Sequence, residues 1–233
     1  MNMNKELLEL YNSKWTVFQE KTTKLEKDES IEIKPAKPLL LCVDEEGIYE
    51  NADIKVMIFG QETNGWCSEG EKSVDEIVQT YFDFYHTDYC FTYGGQFWNG
   101  IKRFKKLFEQ KFENKNVSFL WNNIIKVGKL DDKGFPPDEI YEIEKSEFNL
   151  IKNEIEILKP DILIFLTGPN YDSIIKDSLG DFTQTALPNS SERQLSKINV
   201  LGKENCFRTY HPNYLWRNDI DDYFQTLINE IKI

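Results

Sequence analysis

Leu158-Lys159-Pro160-Asp161-Ile162-Leu163-Ile164-Phe165-Leu166-Thr167-Gly168 is the stretch from which the fold of this chain is read. From Ile162 to Leu166 every residue is apolar, with no polar alternation. A strand that hides both faces has this pattern, and strands of that kind belong to parallel sheets covered by helices on each side. Pro160 ends whatever helix precedes it. Gly168 opens the loop that follows.

Working outward, the same logic recurs. Residues 140–158 place Phe148, Ile151, Ile155 and Leu158 on one face and predict a helix. Lys55 to Phe59 and Val117 to Leu120 are short apolar runs that read as two earlier strands, and Cys206 to Thr209 as a last one. Helices are predicted over 73–88, over 97–112 and over Tyr171 to Leu179, with a closing helix at 219–231. The helix over 97–112 repeats Phe97, Ile101, Phe104, Phe108 and Phe112 at steps of three and four, and its opposite face carries Lys102, Arg103, Lys105 and Lys106. Gly134-Phe135-Pro136-Pro137 breaks the chain into a loop. Residues 182–203 fit an edge hairpin. The alternation of strand and helix predicts an α/β protein: a three-layer α/β/α sandwich with a central four-stranded, mostly parallel sheet. Residues 3–28 read as a charged helix anchored by Leu7, Leu10, Trp15 and Phe18. Residues 1–50 are therefore expected to form an N-terminal helix and connecting segment packed on the core, with 51–233 as the domain itself.

Composition narrows the function classes. No apolar run approaches the roughly 18–20 residues that span a bilayer, and the first ten residues lack a secretory apolar region, so no membrane association and a cytoplasmic location are expected. Cys42, Cys67, Cys90 and Cys206 are scattered without a CxxC pair, and there are two histidines, His86 and His211. Neither a metal site nor an organic cofactor is expected. The net charge is −12, which alone argues against a nucleic-acid partner. Its distribution does not: residues 96–133 carry +5 and residues 193–217 carry +4.

Ligands of parallel sheets gather beyond the carboxyl ends of the strands. Four loops lie there. The first is Gly60-Gln61-Glu62-Thr63-Asn64-Gly65-Trp66, where glycines permit close backbone approach and a carboxylate could orient water. The second begins Trp121-Asn122-Asn123, whose amides offer a donor and an acceptor side by side. The third, Thr167-Gly168-Pro169-Asn170, reads as structural. The fourth is Thr209-Tyr210-His211-Pro212-Asn213-Tyr214-Leu215, where proline fixes the backbone after the histidine. Each loop is ordinary alone. Together they would place Glu62, Asn122 and His211 on one rim.

These motifs resemble those of the uracil-DNA glycosylase superfamily over about residues 50–232. Gly60-Gln61-Glu62-Thr63-Asn64 stands where its best-known branch has Gly-Gln-Asp-Pro-Tyr. Phe119-Leu120-Trp121-Asn122 is similar to its Leu-Leu-Asn strand end, and His211-Pro212-Asn213-Tyr214-Leu215 to its His-Pro-Ser-Pro-Leu. Leu158-Lys159-Pro160-Asp161 and the strand after it look like its third-strand signature. The sequence departs from that branch at Glu62 for Asp, at Thr63-Asn64 for Pro-Tyr, and at Gly65 for a histidine. It also lacks the cysteine spacing of the iron–sulfur branches.

The resemblance implies a monofunctional DNA glycosylase, expected as a monomer, that acts on uracil or a related damaged base flipped from single- or double-stranded DNA. It implies Glu62 as the residue positioning water and His211 as the donor to the departing base. Gln61, Phe91, Asn122 and Asn64 would contact the base, Phe91 by stacking. Leu215 would fill the vacated stack. The basic side chains Lys102, Arg103, Lys106, Arg208 and Arg217 are candidates for phosphate contacts. Three alternatives stay open: a catalytically silent member that binds nucleic acid or a nucleotide-like ligand, a protein with an unrelated small ligand, and an interaction module working through its acidic surface.

Overall fold

A computed structural model describes residues 2–67 and 72–233. The chain opens with a 25-residue helix, α1 (Met3–Lys27), then strand β1 (Ile54–Gly60). Helix α2 (Val74–Tyr81) runs into a wider turn at Phe82–His86, followed by the short α3 (Cys90–Tyr93) and the long α4 (Gly95–Lys111). Strand β2 (Val117–Asn123), helices α5 (Asp138–Glu147) and α6 (Ile151–Leu158), and strand β3 (Ile162–Phe165) come next. After a tight turn at Pro169–Tyr171 follow α7 (Asp172–Leu179), β4 (Gln184–Ala186), β5 (Leu195–Ile198), β6 (Asn205–Thr209), α8 (Pro212–Leu215) and α9 (Ile220–Asn229).

The strands form one sheet in the order β2-β1-β3-β6-β5-β4. The four expected strands are its parallel part, with β1 and β3 at the centre. The sheet has two more strands than expected. They are the hairpin of β4 and β5, which extends it antiparallel from β6. Every residue of β3 is buried, as a continuous aliphatic run requires. The mixed α/β fold with helices flanking a mostly parallel sheet is the one the sequence predicts.

The stretch expected as one helix over 140–158 is two. Phe148 leaves helical geometry at φ −133°, and α6 restarts at Ile151. Both halves keep their apolar stripes, and the break lets Phe148 stack on Phe18 of α1 with ring centres 4.1 Å apart. Lys159 then takes a left-handed conformation before Pro160. In α1 the fully buried anchors are Leu7, Tyr11 and Phe18; Leu10 and Trp15 are half-buried.

The strand pleat sorts side chains between two helical layers. On β2, Phe119, Trp121 and Asn123 face α4, where Phe119 packs against Phe104 and Phe108, and Trp121 against Trp98. Asn122 faces the other way, toward α1 and α6. Among the described residues no helix is long and apolar enough to cross a membrane.

Candidate active site

The carboxyl ends of β1 and β2 are in register, pairing Phe59 with Asn122 and Gly60 with Asn123. The loop after β1 is held to the chain beyond β2 by Ile124 N–H to the Gly60 carbonyl at 3.0 Å and Ile125 N–H to the Gln61 carbonyl at 2.9 Å. The Gln61 side chain crosses to the third loop and donates to the Thr167 carbonyl at 2.7 Å. Gly60 has no room for a side chain: a Cβ there would lie 2.4 Å from Asn123 Oδ1 and 2.8 Å from the Phe97 ring.

Asn123 and Phe97 crowd that glycine, and His211 lies on the Phe97 ring. Asn123 is 1% exposed. Its Oδ1 accepts from Trp121 Nε1 at 3.1 Å, while its Nδ2 is buried without a hydrogen-bond partner. An unpaired buried amide costs on the order of 1–3 kcal/mol, and Thr63 Oγ1 and Trp66 Nε1 of the first loop are buried without partners as well. Phe97, on the first turn of α4, lies nearly parallel to the His211 imidazole, with ring centres 5.4 Å apart at 14°. His211 caps α8, and its Nδ1 accepts from the Asn213 N–H at 3.1 Å. With Nδ1 an acceptor, the neutral ring carries its proton on Nε2. Burial pushes the imidazole pKa down to about 4, so the neutral form holds through the physiological range. The approach of α4 to this segment depends on Gly100, where a Cβ would lie 2.6 Å from Pro212.

Residues 48–232 match the family model of the uracil DNA glycosylase superfamily. The chain belongs to that superfamily. No curated protein matches it.

Seen as a superfamily site, several expected residues are placed elsewhere. Asn122 does not reach the rim. It is fully buried in the layer beneath, where its Nδ2 donates to Glu154 at 2.9 Å and its Oδ1 accepts from Lys126 Nζ at 2.8 Å. Asn123, the next residue, faces α4 instead, because adjacent strand residues point to opposite faces. Phe91 packs edge-on to Trp98 and under Lys105 Nζ, which also covers Phe119. Phe97, which packs at Gly60 and on the His211 ring, is the aromatic shown next to the strand-end loop. Leu215 is completely buried in the core and cannot be a wedge; the exposed aromatics of that segment are Tyr214 at 41% and Trp216 at 40%. Arg208 is likewise fully buried, spent on Asp172, Gln184 and the carbonyls of Glu192 and Arg193, and offers nothing to phosphate.

Glu62 does line the first loop. Its carboxylate accepts from the Tyr171 hydroxyl, with the Gly134 backbone and Lys129 nearby. Desolvation outweighs these contacts and raises its pKa above the usual carboxylate value. Asn64 is exposed, its backbone bridged to Lys129. Arg103 is held by Asp221 through Nε and Nη2, one edge of its guanidinium, while Lys102 and Lys106 are exposed. Arg217 is exposed and donates to Asn213 at 3.2 Å.

Tyr171 was missed because a tyrosine in a turn has no signature of its own. Phe97 fits the apolar repeat of its helix, and it is only half-buried. Asn123 could have been found: it shares parity with Phe119 and Trp121, the bulky apolar side of β2.

Proposed function

We propose that this chain is a DNA glycosylase that hydrolyses the N-glycosidic bond of uracil or a related damaged base extruded from DNA. The observation that carries this reading is the unpaired Asn123 Nδ2, buried by Gly60, where the Phe97 ring that stacks on the neutral His211 imidazole also packs. Membership of the superfamily supports the same reaction class.

In this reading Asn123 Nδ2 donates to a base carbonyl, and the free lone pair of Oδ1 accepts an imino N–H. Phe97 supplies the apolar wall. As the glycosidic bond breaks, its electron pair passes to the base nitrogen and the sugar becomes oxocarbenium-like. His211 Nε2–H then donates to the base oxygen on which negative charge grows, a hydrogen bond stronger in the transition state than in the ground state. Water adds to the anomeric carbon and loses its proton to Glu62, whose raised pKa suits that task. Tyr171 fixes the carboxylate by its hydroxyl.

Single-turnover assays on oligonucleotides bearing uracil, hypoxanthine, xanthine or 5-substituted uracils test the proposal. Release of at least one free base is expected. If wild-type protein releases none, and Glu62→Asp with Asn64→Tyr confers no release, the enzyme reading is abandoned.

A second reading, a silent member that binds nucleic acid or a nucleotide-like ligand, is favoured by one observation. The Glu62 carboxylate is already engaged by the Tyr171 hydroxyl. Binding without base release would select it.

A further inference from the structure

Helix α4 contributes Phe97 to the site, and the stripe next to it forms a different feature. Gln96, Asn99, Lys102, Arg103 and Lys106, with Trp216 opposite, wall a surface groove of about 450 Å³. In a chain of net charge −12, this helix carries five basic residues and one acidic. It sorts them. Arg103 is clamped by Asp221 and Lys105 lies over two phenylalanine rings. Lys102 and Lys106 point to solvent and have no hydrogen bond or ion pair among the described residues.

Trp216 stands just beyond α8, five residues after His211. Its indole N–H donates to the Gln96 carbonyl at 3.0 Å, which fixes the ring against α4, yet the residue stays 40% exposed. A large aromatic held by its polar edge with surface left open is a stacking platform. Next to it, two lysines one helical turn apart, about 6 Å along the axis, form a short cationic track.

We propose that this groove holds a single nucleic-acid strand leaving the base site, with Trp216 stacked on an unpaired neighbouring base and Lys102 and Lys106 on the phosphates that follow. The proposal rests on the nucleic-acid reading of the site and extends it to strandedness. An indole stacks on any base whose face is open, and the bases inside a duplex have none to offer.

The test is equilibrium binding of the full-length protein to a fluorescent oligothymidylate of roughly 15 nucleotides, the upper range of a single-strand site, across a salt series. Each phosphate contact on a single strand contributes about 0.7 to the slope of log affinity against log salt, so Lys102→Ala with Lys106→Ala should flatten it by about 1.4. Trp216→Ala should weaken binding about tenfold and remove quenching of tryptophan emission, while Trp216→Phe keeps most of the affinity. A duplex of equal length should bind less tightly and ignore Trp216. An unchanged slope in the lysine variant, equal duplex binding, or no oligothymidylate binding by the wild type overturns the proposal. Binding is read on a probe without uracil, so no release in the separate excision assay, with this binding intact, counts against the glycosylase reading alone. Excision with groove variants that bind normally counts against the groove alone.

Discussion

At His211 the decisive quantity is desolvation. An unfolded chain protonates this imidazole near pH 6.5, whereas the native state refuses the proton until about pH 4. The stability it contributes is therefore present above pH 6.5 and is lost as pH falls toward 4. Between pH 7 and 5 the loss is on the order of 2 kcal/mol. Urea midpoints at both pH values should show a larger decrement in wild type than in His211→Asn, where His86, its pKa also lowered by burial, still contributes. The same neutrality predicts an excision rate without a histidine inflection between pH 6 and 8; a limb near 6.5 that vanishes in the variant would contradict it. The adjacent asparagines separate in a second pair of measurements. Asn123→Ala should slow single-turnover excision about a hundredfold and cost only about 1 kcal/mol through the lost Trp121 bond. Asn122→Ala should destabilise by about 2–4 kcal/mol, because Lys126 and Glu154 lose a fully buried partner.

At the scale of elements, two packing contacts set the site. One is α4 against α8 through Gly100 and Pro212; the other is β1 against α4 through Gly60 and Phe97. Gly60→Ala and Gly100→Ala should each depress excision far more than they lower the unfolding temperature, since the Cβ atoms displace Asn123, Phe97 or Pro212 locally. Wild-type rates in both variants would show that the cluster is not the site. The second element-level feature is α1. Its Tyr11 hydroxyl meets Glu154 at 2.9 Å and accepts from Leu41 N–H at 3.0 Å, while Lys126 bonds Glu154 at 2.8 Å with neither charge exposed. Removing one partner of such a pair strands the other charge. Lys126→Met should therefore cost about 3–5 kcal/mol and Tyr11→Phe about 1–3 kcal/mol, both read by urea denaturation. Loss of less than 1 kcal/mol for Lys126→Met would mean the pair is not buried in solution.

For the whole molecule, the sheet orders stability from centre to edge. β1 and β3 are paired on both sides and shielded by helices, whereas β4 pairs only with β5 and is partly exposed. Native-state hydrogen exchange should protect amides of Met57–Phe59 and Leu163–Phe165 longest and release Gln184–Ala186 first. The reverse order would contradict the topology.

The parallel strands, the flanking helices and the ligand-bearing loop positions were legible in the sequence. They rest on local patterns: the unbroken run Ile162–Leu166, the phenylalanine repeat of α4, Pro160 and the loop glycines. The superfamily was legible in two short motifs, Gly60-Gln61-Glu62 and His211-Pro212. The tertiary structure decided which side chains reach the site. Asn122 and Asn123 have the same chemistry and opposite directions, and only the packing of α1 and α6 on one face and α4 on the other says which is which. Leu215 goes to the core and Arg208 is consumed internally for the same reason. A pattern of residue types fixes where a strand or helix lies along the chain, but the partner of each side chain is set by contacts between segments far apart in it.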